Sequence, residues 1–194
     1  MDPEFPNLRA TVVAAFRNAP PELVAEILDG EVSLLPRPRP RHARGSSRLG
    51  ARLRPFDDPD EGEPGGWLIL DEPELHLGTL PDIVVPDIAG WRRDRLPEEL
   101  FANDDAVAIS IAPDWVCEII SPGTEAIDRG KKMRIWRRER VHHVWLVNPA
   151  LKTLEIYRLS NEGHVLVDTL TGDEPVRAEP FDAIAIPLRS LWNR

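Results

Sequence analysis

Cysteine, lysine and long apolar runs are scarce in this chain of 194 residues. Cys117 is the single cysteine, which excludes an intrachain disulfide and fits a reducing environment. No apolar stretch approaches the roughly 20 residues that span a bilayer, and the N-terminus lacks the layout of a signal peptide. We therefore expect a cytoplasmic protein with no membrane partner.

The length and composition limit the number of domains. The chain has 194 residues, of which 42% are hydrophobic. This is enough for one substantial hydrophobic core, whereas two full domains with separate cores would be cramped. We expect a single domain over residues 1–194. Residues 1–6 are expected to be disordered or foreign to the native sequence.

Lysine is rare even among the basic residues. Of the 24 lysines and arginines three are lysines, and two of these, Lys131 and Lys132, are adjacent. An arginine guanidinium stays protonated, whereas a lysine ammonium is a compact charge whose pKa can shift beside a reacting group. A lysine in so arginine-rich a chain therefore indicates a specific role, and only one of the two neighbours can point at a given site.

Two carboxylates occur inside apolar runs. Asp87 follows Pro86 in the run 83–89, and Glu118 is central in the run 115–120. Burying an unpaired carboxylate costs several kcal/mol, so Glu118 is expected to be paired, neutral or metal-bound. Asp87 has the alternative role of a turn former after proline. Two carboxylates and one lysine are typical of a metal-dependent hydrolase.

The chemistry of such a group explains its composition. A divalent cation on two carboxylates can bind a phosphodiester oxygen and lower the pKa of water, and hard oxygen ligands favour Mg²⁺ or Mn²⁺. The lysine can orient the water or offset charge on phosphorus. An acid from an earlier element, Glu26 or Glu31, would add a ligand; spacing alone places neither, and we take Glu31 as the candidate.

Helical and strand patterns alternate along the chain. Short branched and aromatic runs between Gly, Pro, Asn and Asp predict strands, whereas longer amphipathic segments predict helices. The predicted helices cover residues 8–18, 22–28, the arginine-rich segment to about residue 53, and 125 to about 140. The predicted strands cover residues 31–35, 67–70, 75–77, 83–89, 115–120, 144–147, 154–159 and 165–170.

The charge distribution bears on a nucleic-acid partner. The net charge is −9, which repels a polyanion at long range, but residues 37–54 contain seven arginines and no acid. Arg41, Arg44 and Arg48 are candidate nucleic-acid contacts. The alternative is a solvated helix face balanced by the acidic loop that follows. Trp91, beside two arginines, is a candidate for base stacking or for an interface.

Several motifs together resemble one family. They are Pro86-Asp87, then Pro113-Asp114-Trp115-Val116-Cys117-Glu118-Ile119-Ile120-Ser121-Pro122, then Asp128-Arg129-Gly130-Lys131-Lys132 with Trp136, and Val144-Trp145-Leu146-Val147-Asn148-Pro149. The chain resembles the Uma family of predicted bacterial restriction endonucleases, in the PD-(D/E)XK nuclease superfamily. The resemblance implies an α/β (α+β) fold, a mixed central β-sheet flanked by helices, and Mg²⁺-dependent cleavage of DNA, commonly by a homodimer.

The resemblance also implies the roles of individual residues. Asp87 and Glu118 would be metal ligands and Lys132 the catalytic lysine. The superfamily usually places that lysine two residues after the acid, where this chain has Ile120, so the lysine has moved to the following helix. Asp82, in a second Pro-Asp pair, competes with Asp87. The alternative function is a catalytically silent nuclease-fold protein that binds DNA or a protein.

Overall fold

The computed structural model describes residues 5–97 and 108–192, which form five helices and twelve strands. The helices are α1 Ala10–Arg17, α2 Pro40–Asp57, α3 Glu125–Ile127, α4 Met133–Arg138 and α5 Arg189–Trp192. The strands are β1 Leu23–Leu28, β2 Glu31–Pro36, β3 Trp67–Asp71, β4 Leu75–Leu77, β5 Asp82–Val84, β6 Ile88–Arg92, β7 Trp115–Ile119, β8 His143–Asn148, β9 Thr153–Leu159, β10 His164–Thr171, β11 Pro175–Val176 and β12 Ile186–Pro187. A π-helical segment, Asp128–Lys132, joins α3 to α4, and a short 3₁₀ helix covers Arg93–Arg95.

The larger of the sheets is mixed and contains six strands in the order β10-β9-β8-β7-β6-β3. Strands β7 and β8 pair in parallel, and the other neighbours are antiparallel. A second sheet has the order β2-β1-β5-β4, and β11 and β12 form a small ribbon. The predicted class, a mixed central sheet flanked by helices, is confirmed.

Both faces of the six-stranded sheet are covered, which explains why its central strands are apolar throughout. On one face α2 contributes Leu49 and Leu53 to a core that includes Trp145. On the other face α4 contributes Ile135 and Trp136, together with residues of the smaller sheet. Trp91 belongs to this second core and is fully buried, so its expected role in base stacking is wrong.

The segment predicted as a helix over residues 22–28 is instead strand β1. Its composition suits a helix, but the following residues Asp29 (φ 55°) and Gly30 (φ 76°) adopt the left-handed conformation of a tight hairpin turn. That turn folds β2 back on β1, with Leu28 opposite Glu31. Pairing with β2 and β5 outweighs the local helix propensity.

The apolar run 83–89 is not one strand. It divides into β5 in the smaller sheet and β6 in the larger sheet, with Val85-Pro86-Asp87 between them. Proline has no N–H to donate to a sheet, which favours a break at this point. Asp87 therefore lies where the chain passes from one sheet to the other.

The N-terminal residues in the described part are ordered by packing. Phe5 is 2% exposed and packs in a third apolar cluster with Val13 of α1 and Ile27 of β1. The expectation of disorder over residues 1–6 is therefore wrong at Phe5, and residues 1–4 lie outside the described residues. Within the described ranges, no helix has the length and apolar character needed to cross a membrane.

Candidate active site

A cavity of about 440 Å³ opens where the two sheets meet. Its wall includes the side chains of Asp87, Glu118, Asp128, Lys132 and His42. These residues come from the crossing between β5 and β6, from β7, from the π-helical segment and from α2. The fold thus brings together three residues that the sequence predicts as a site, Asp87, Glu118 and Lys132, although they are separated by up to 45 positions in the chain.

Glu118 points into this cavity from a strand that is buried along its whole length. Successive side chains of a strand face opposite sides, so Cys117 enters the core under α2 while Glu118 faces the smaller sheet. The Glu118 residue is 1% exposed. Burial raises the pKa of its carboxyl well above the usual range, and the neighbouring Lys132 ammonium opposes that shift.

Lys132 reaches Glu118 from the π-helical segment. Its Nζ atom lies 3.2 Å from Glu118 Oε2 and 3.2 Å from Glu26 Oε1, and it donates a hydrogen bond of 3.0 Å to the carbonyl of Val85. The Oδ1 atom of Asp128 is 3.8 Å away. Widened π turns within helices are frequent at functional sites. This one places Asp128 and Lys132, four residues apart, at the same buried cluster.

Carboxylates outnumber the ammonium in this cluster. Burial works to lower the pKa of Lys132, but the charges of Glu118, Glu26 and Asp128 raise it well above its usual value. Burial also raises the pKa of Asp128, again opposed by Lys132. Lys132 is therefore firmly protonated, and the pocket has an excess of acidic groups around one fixed positive charge.

Asp87 is oriented by two partners. Its Oδ2 atom accepts a 2.5 Å hydrogen bond from the backbone N–H of Ile119 and lies 3.2 Å from His42 Nε2. Burial works to lower the pKa of His42, and the Asp87 carboxylate raises it to a net value above the usual one. The bond to Ile119 ties Asp87 to the strand that carries Glu118.

Sequence reasoning did not select His42, Asp128 or Glu26 as site residues, although Glu26 was an alternative to Glu31. A signal for His42 exists, since it precedes Gly45, Leu49 and Leu53 at helical spacing and therefore lies on the buried side of α2. Glu26 lies in a segment predicted as helix, where its direction could not be inferred. It is fully buried, and its Oε1 atom accepts a 2.8 Å hydrogen bond from the N–H of Val85.

Other candidates lie away from this cavity. The side chain of Glu31 is 73% exposed and pairs with Lys131 at 2.8 Å, so the structure brings Glu26 to the cluster rather than Glu31. Asp82 pairs with Arg138. Arg41 and Arg44 are exposed on α2, and Arg48 donates to the carbonyl of Ser190. None of these three arginines is among the described residues that line the cavity.

The donor set is compatible with a hard divalent cation. Glu118 Oε1 and Glu26 Oε2 are buried and accept no hydrogen bond from the described residues. Mg²⁺ is commonly held by one or two carboxylates, with water and substrate phosphate completing its shell. Asp87 and Glu118 can supply these two carboxylates. Across residues 5–97 and 108–192, no group of three or more His, Cys, Asp or Glu side chains is arranged as a metal site by itself.

Comparison with known proteins agrees with this fold. The model of the Uma2 family, described as "Putative restriction endonuclease", matches residues 9–189. A solved structure described as a "putative nuclease belonging to DUF820" from Anabaena variabilis superimposes with a TM-score of 0.72 at 22% identity, over 93% of this chain and 97% of that chain. A search of curated proteins finds no match.

The mixed central sheet flanked by helices defines the fold class, which this chain shares with that solved structure. The chain belongs to the Uma2 family.

Proposed function

We propose that this protein is a Mg²⁺- or Mn²⁺-dependent endonuclease that hydrolyses phosphodiester bonds in DNA. The observation that carries the proposal is the convergence of Asp87, Glu118 and Lys132 on one cavity at the junction of the sheets. The family to which the chain belongs supports nuclease chemistry. The excess of buried acids supports a role for a cation, because unpaired carboxylates are costly in such a place.

Each residue has a role that its surroundings suit. Asp87 and Glu118 would hold the cation, which would polarise a phosphate oxygen and lower the pKa of water. The charged ammonium of Lys132 would donate a hydrogen bond to a phosphate oxygen or to the attacking water. Asp128 and Glu26 fix the position of that ammonium.

One observation favours a second function, in which the protein is catalytically silent. Lys132 is already bonded to Glu118, Glu26 and Val85, so the cluster is also a closed network of ion pairs. A catalytically silent nuclease-fold protein that binds DNA or a protein would use the same network for stability alone. The two functions differ in their dependence on divalent cations.

We also propose an oligomeric state and a cellular location for the protein. Cutting both strands of a duplex takes two sites, so we propose a homodimer, a symmetric arrangement common among soluble proteins. The single, buried cysteine fits a cytoplasmic location. Sedimentation of the purified protein would show whether it is a dimer.

Nicking of supercoiled plasmid DNA tests the activity directly. Wild-type protein is expected to nick the plasmid with Mg²⁺ or Mn²⁺ and to stop when EDTA is added. Asp87→Asn is expected to lose the activity, whereas Lys131→Met is expected to keep it, because Lys131 contacts the exposed Glu31. Absence of cation-dependent nicking in wild-type protein would favour the silent function.

A further inference from the structure

Three arginine side chains converge on a second cavity, between α2 and the C-terminal helix α5. Arg48 and Arg52 belong to α2, and Arg189 is the first residue of α5. The cavity measures about 400 Å³, and no acidic residue of the described chain lines it. A depression walled by charges of one sign attracts a ligand of the opposite sign.

The three arginines differ in what they contact. Arg48 is anchored, since its Nη1 atom donates a 3.0 Å hydrogen bond to the carbonyl of Ser190. Arg52 and Arg189 are exposed, and within residues 5–97 and 108–192 their side chains make no hydrogen bond or ion pair. An anion in the cavity would pair with the guanidinium groups of Arg52 and Arg189. Guanidinium groups bind phosphate oxygens in a bidentate manner.

Helix α2 connects this cavity to the candidate active site. His42 lines the active-site cavity in the first turn of the helix, and Arg48 and Arg52 follow six and ten residues later. At about 1.5 Å per residue, they lie about 9 and 15 Å further along the helix axis. Along a duplex that runs parallel to α2, one strand advances about 3.4 Å per nucleotide, so these distances would correspond to about three to four nucleotides.

We infer that Arg48, Arg52 and Arg189 form a subsite for backbone phosphates of a nucleic acid, about three to four nucleotides from the candidate active site. The identity of the ligand rests on the proposed function. Arg41, Arg44, Arg48 and Arg52 follow one another at spacings of three and four residues, so they form one stripe on α2. Contacts of this kind set the position of a duplex and read no base sequence.

The subsite can be tested without cleavage, by fluorescence anisotropy of a labelled DNA duplex in EDTA over a series of salt concentrations. The test variants are Arg52→Gln and Arg52→Gln/Arg189→Gln. The matched control is Arg54→Gln, which removes the same charge from the same helix. Two residues turn a helix by about 200°, so Arg54 lies on the opposite side, where it pairs with Asp60 and Glu63. Circular dichroism checks the fold of each variant.

Each phosphate contact contributes about 0.9 to the slope of log affinity against log salt concentration. The double variant is therefore expected to weaken binding and to reduce that slope by up to about 1.8, while Arg54→Gln leaves the slope unchanged. An unchanged slope in the double variant, or no binding by wild-type protein at low salt, would overturn the inference. Arginine-dependent binding without any cation-dependent nicking would uphold the subsite and contradict the proposed activity.

Discussion

The Nζ atom of Lys132 lies 3.2 Å from Oε2 of Glu118, and neither side chain is more than 3% exposed. Two charges can persist in such a place because each satisfies the other and further groups complete their shells. Here Glu26 and the carbonyl of Val85 provide the additional contacts to Lys132. The site is therefore also a structural element, and its variants are expected to change stability as well as activity.

The buried ammonium is expected to be essential for stability. Lys132→Met leaves Glu118, Glu26 and Asp128 in the interior without their cation, which should lower the free energy of unfolding at pH 7 by about 3–5 kcal/mol. Denaturant titration followed by circular dichroism measures this change.

The adjacent lysine provides the matched control for that experiment. Lys131→Met removes the same group one position earlier, where it contacts an exposed glutamate, and should change stability little. Equal losses in the two variants would show that the cluster around Lys132 has no special energetic role.

The backbone of Gly90 lies close to two aromatic rings, so a larger residue at this position is expected to lower the stability of the fold. A Cβ atom on Gly90 of β6 would lie 3.2 Å from Trp115 Cε3 and 3.3 Å from Trp67 Cε3, both in the packed core. Gly90→Ala should therefore lower the free energy of unfolding by about 1–3 kcal/mol through overpacking. Thermal and denaturant unfolding both report this loss.

Gly123→Ala is the corresponding control, because its Cβ would meet only Pro36 Cγ at 3.8 Å, an ordinary contact. A loss at Gly123 as large as that at Gly90 would mean that the cost does not arise from contact with the two tryptophans.

His164 is expected to reduce stability in mild acid. Burial lowers its pKa below the usual 6.5, although its bond to the carbonyl of Val141 opposes the shift. As the pH falls below about 6.5, the unfolded chain takes up a proton before the folded chain does, so the free energy of unfolding falls until the folded pKa is passed. Unfolding of wild-type protein and His164→Gln between pH 5 and pH 8 measures this slope.

The His164→Gln variant should show a weaker dependence on pH than wild-type protein over that interval. His42, whose pKa is shifted upward, contributes a slope of opposite sign in both proteins and cancels in the comparison. A wild-type slope identical to that of the variant would contradict the lowered pKa of the half-buried His164.

Much of the fold was predictable because most of its elements agree with their local patterns. The strand containing Glu118 is continuous and apolar, and a charge within it had to face a partner. Strand β1 could not be predicted in the same way, since its composition favours a helix and one of its two partner strands, β5, lies far along the chain. The role of Glu26 could not be predicted either, because the direction of its side chain depends on whether the segment is a helix or a strand.

The choice between the two lysines and the role of His42 needed the tertiary structure. The π-helical segment sets which lysine enters the interior, and no residue in Asp128–Lys132 signals that widened turn. His42 acquires its role only because α2 crosses the sheet junction beside Asp87, 45 residues later in the chain.

The central claim is that Asp87 and Glu118 hold a divalent cation, and isothermal titration of Mn²⁺ and Mg²⁺ tests it most directly. Wild-type protein is expected to bind the ion at millimolar concentration or below, and Glu118→Gln is expected to lose binding while retaining its fold by circular dichroism. Glu31→Gln, which changes an exposed acid, should bind as wild-type protein does. No binding by wild-type protein at millimolar ion, or equal binding by Glu118→Gln, would contradict the account.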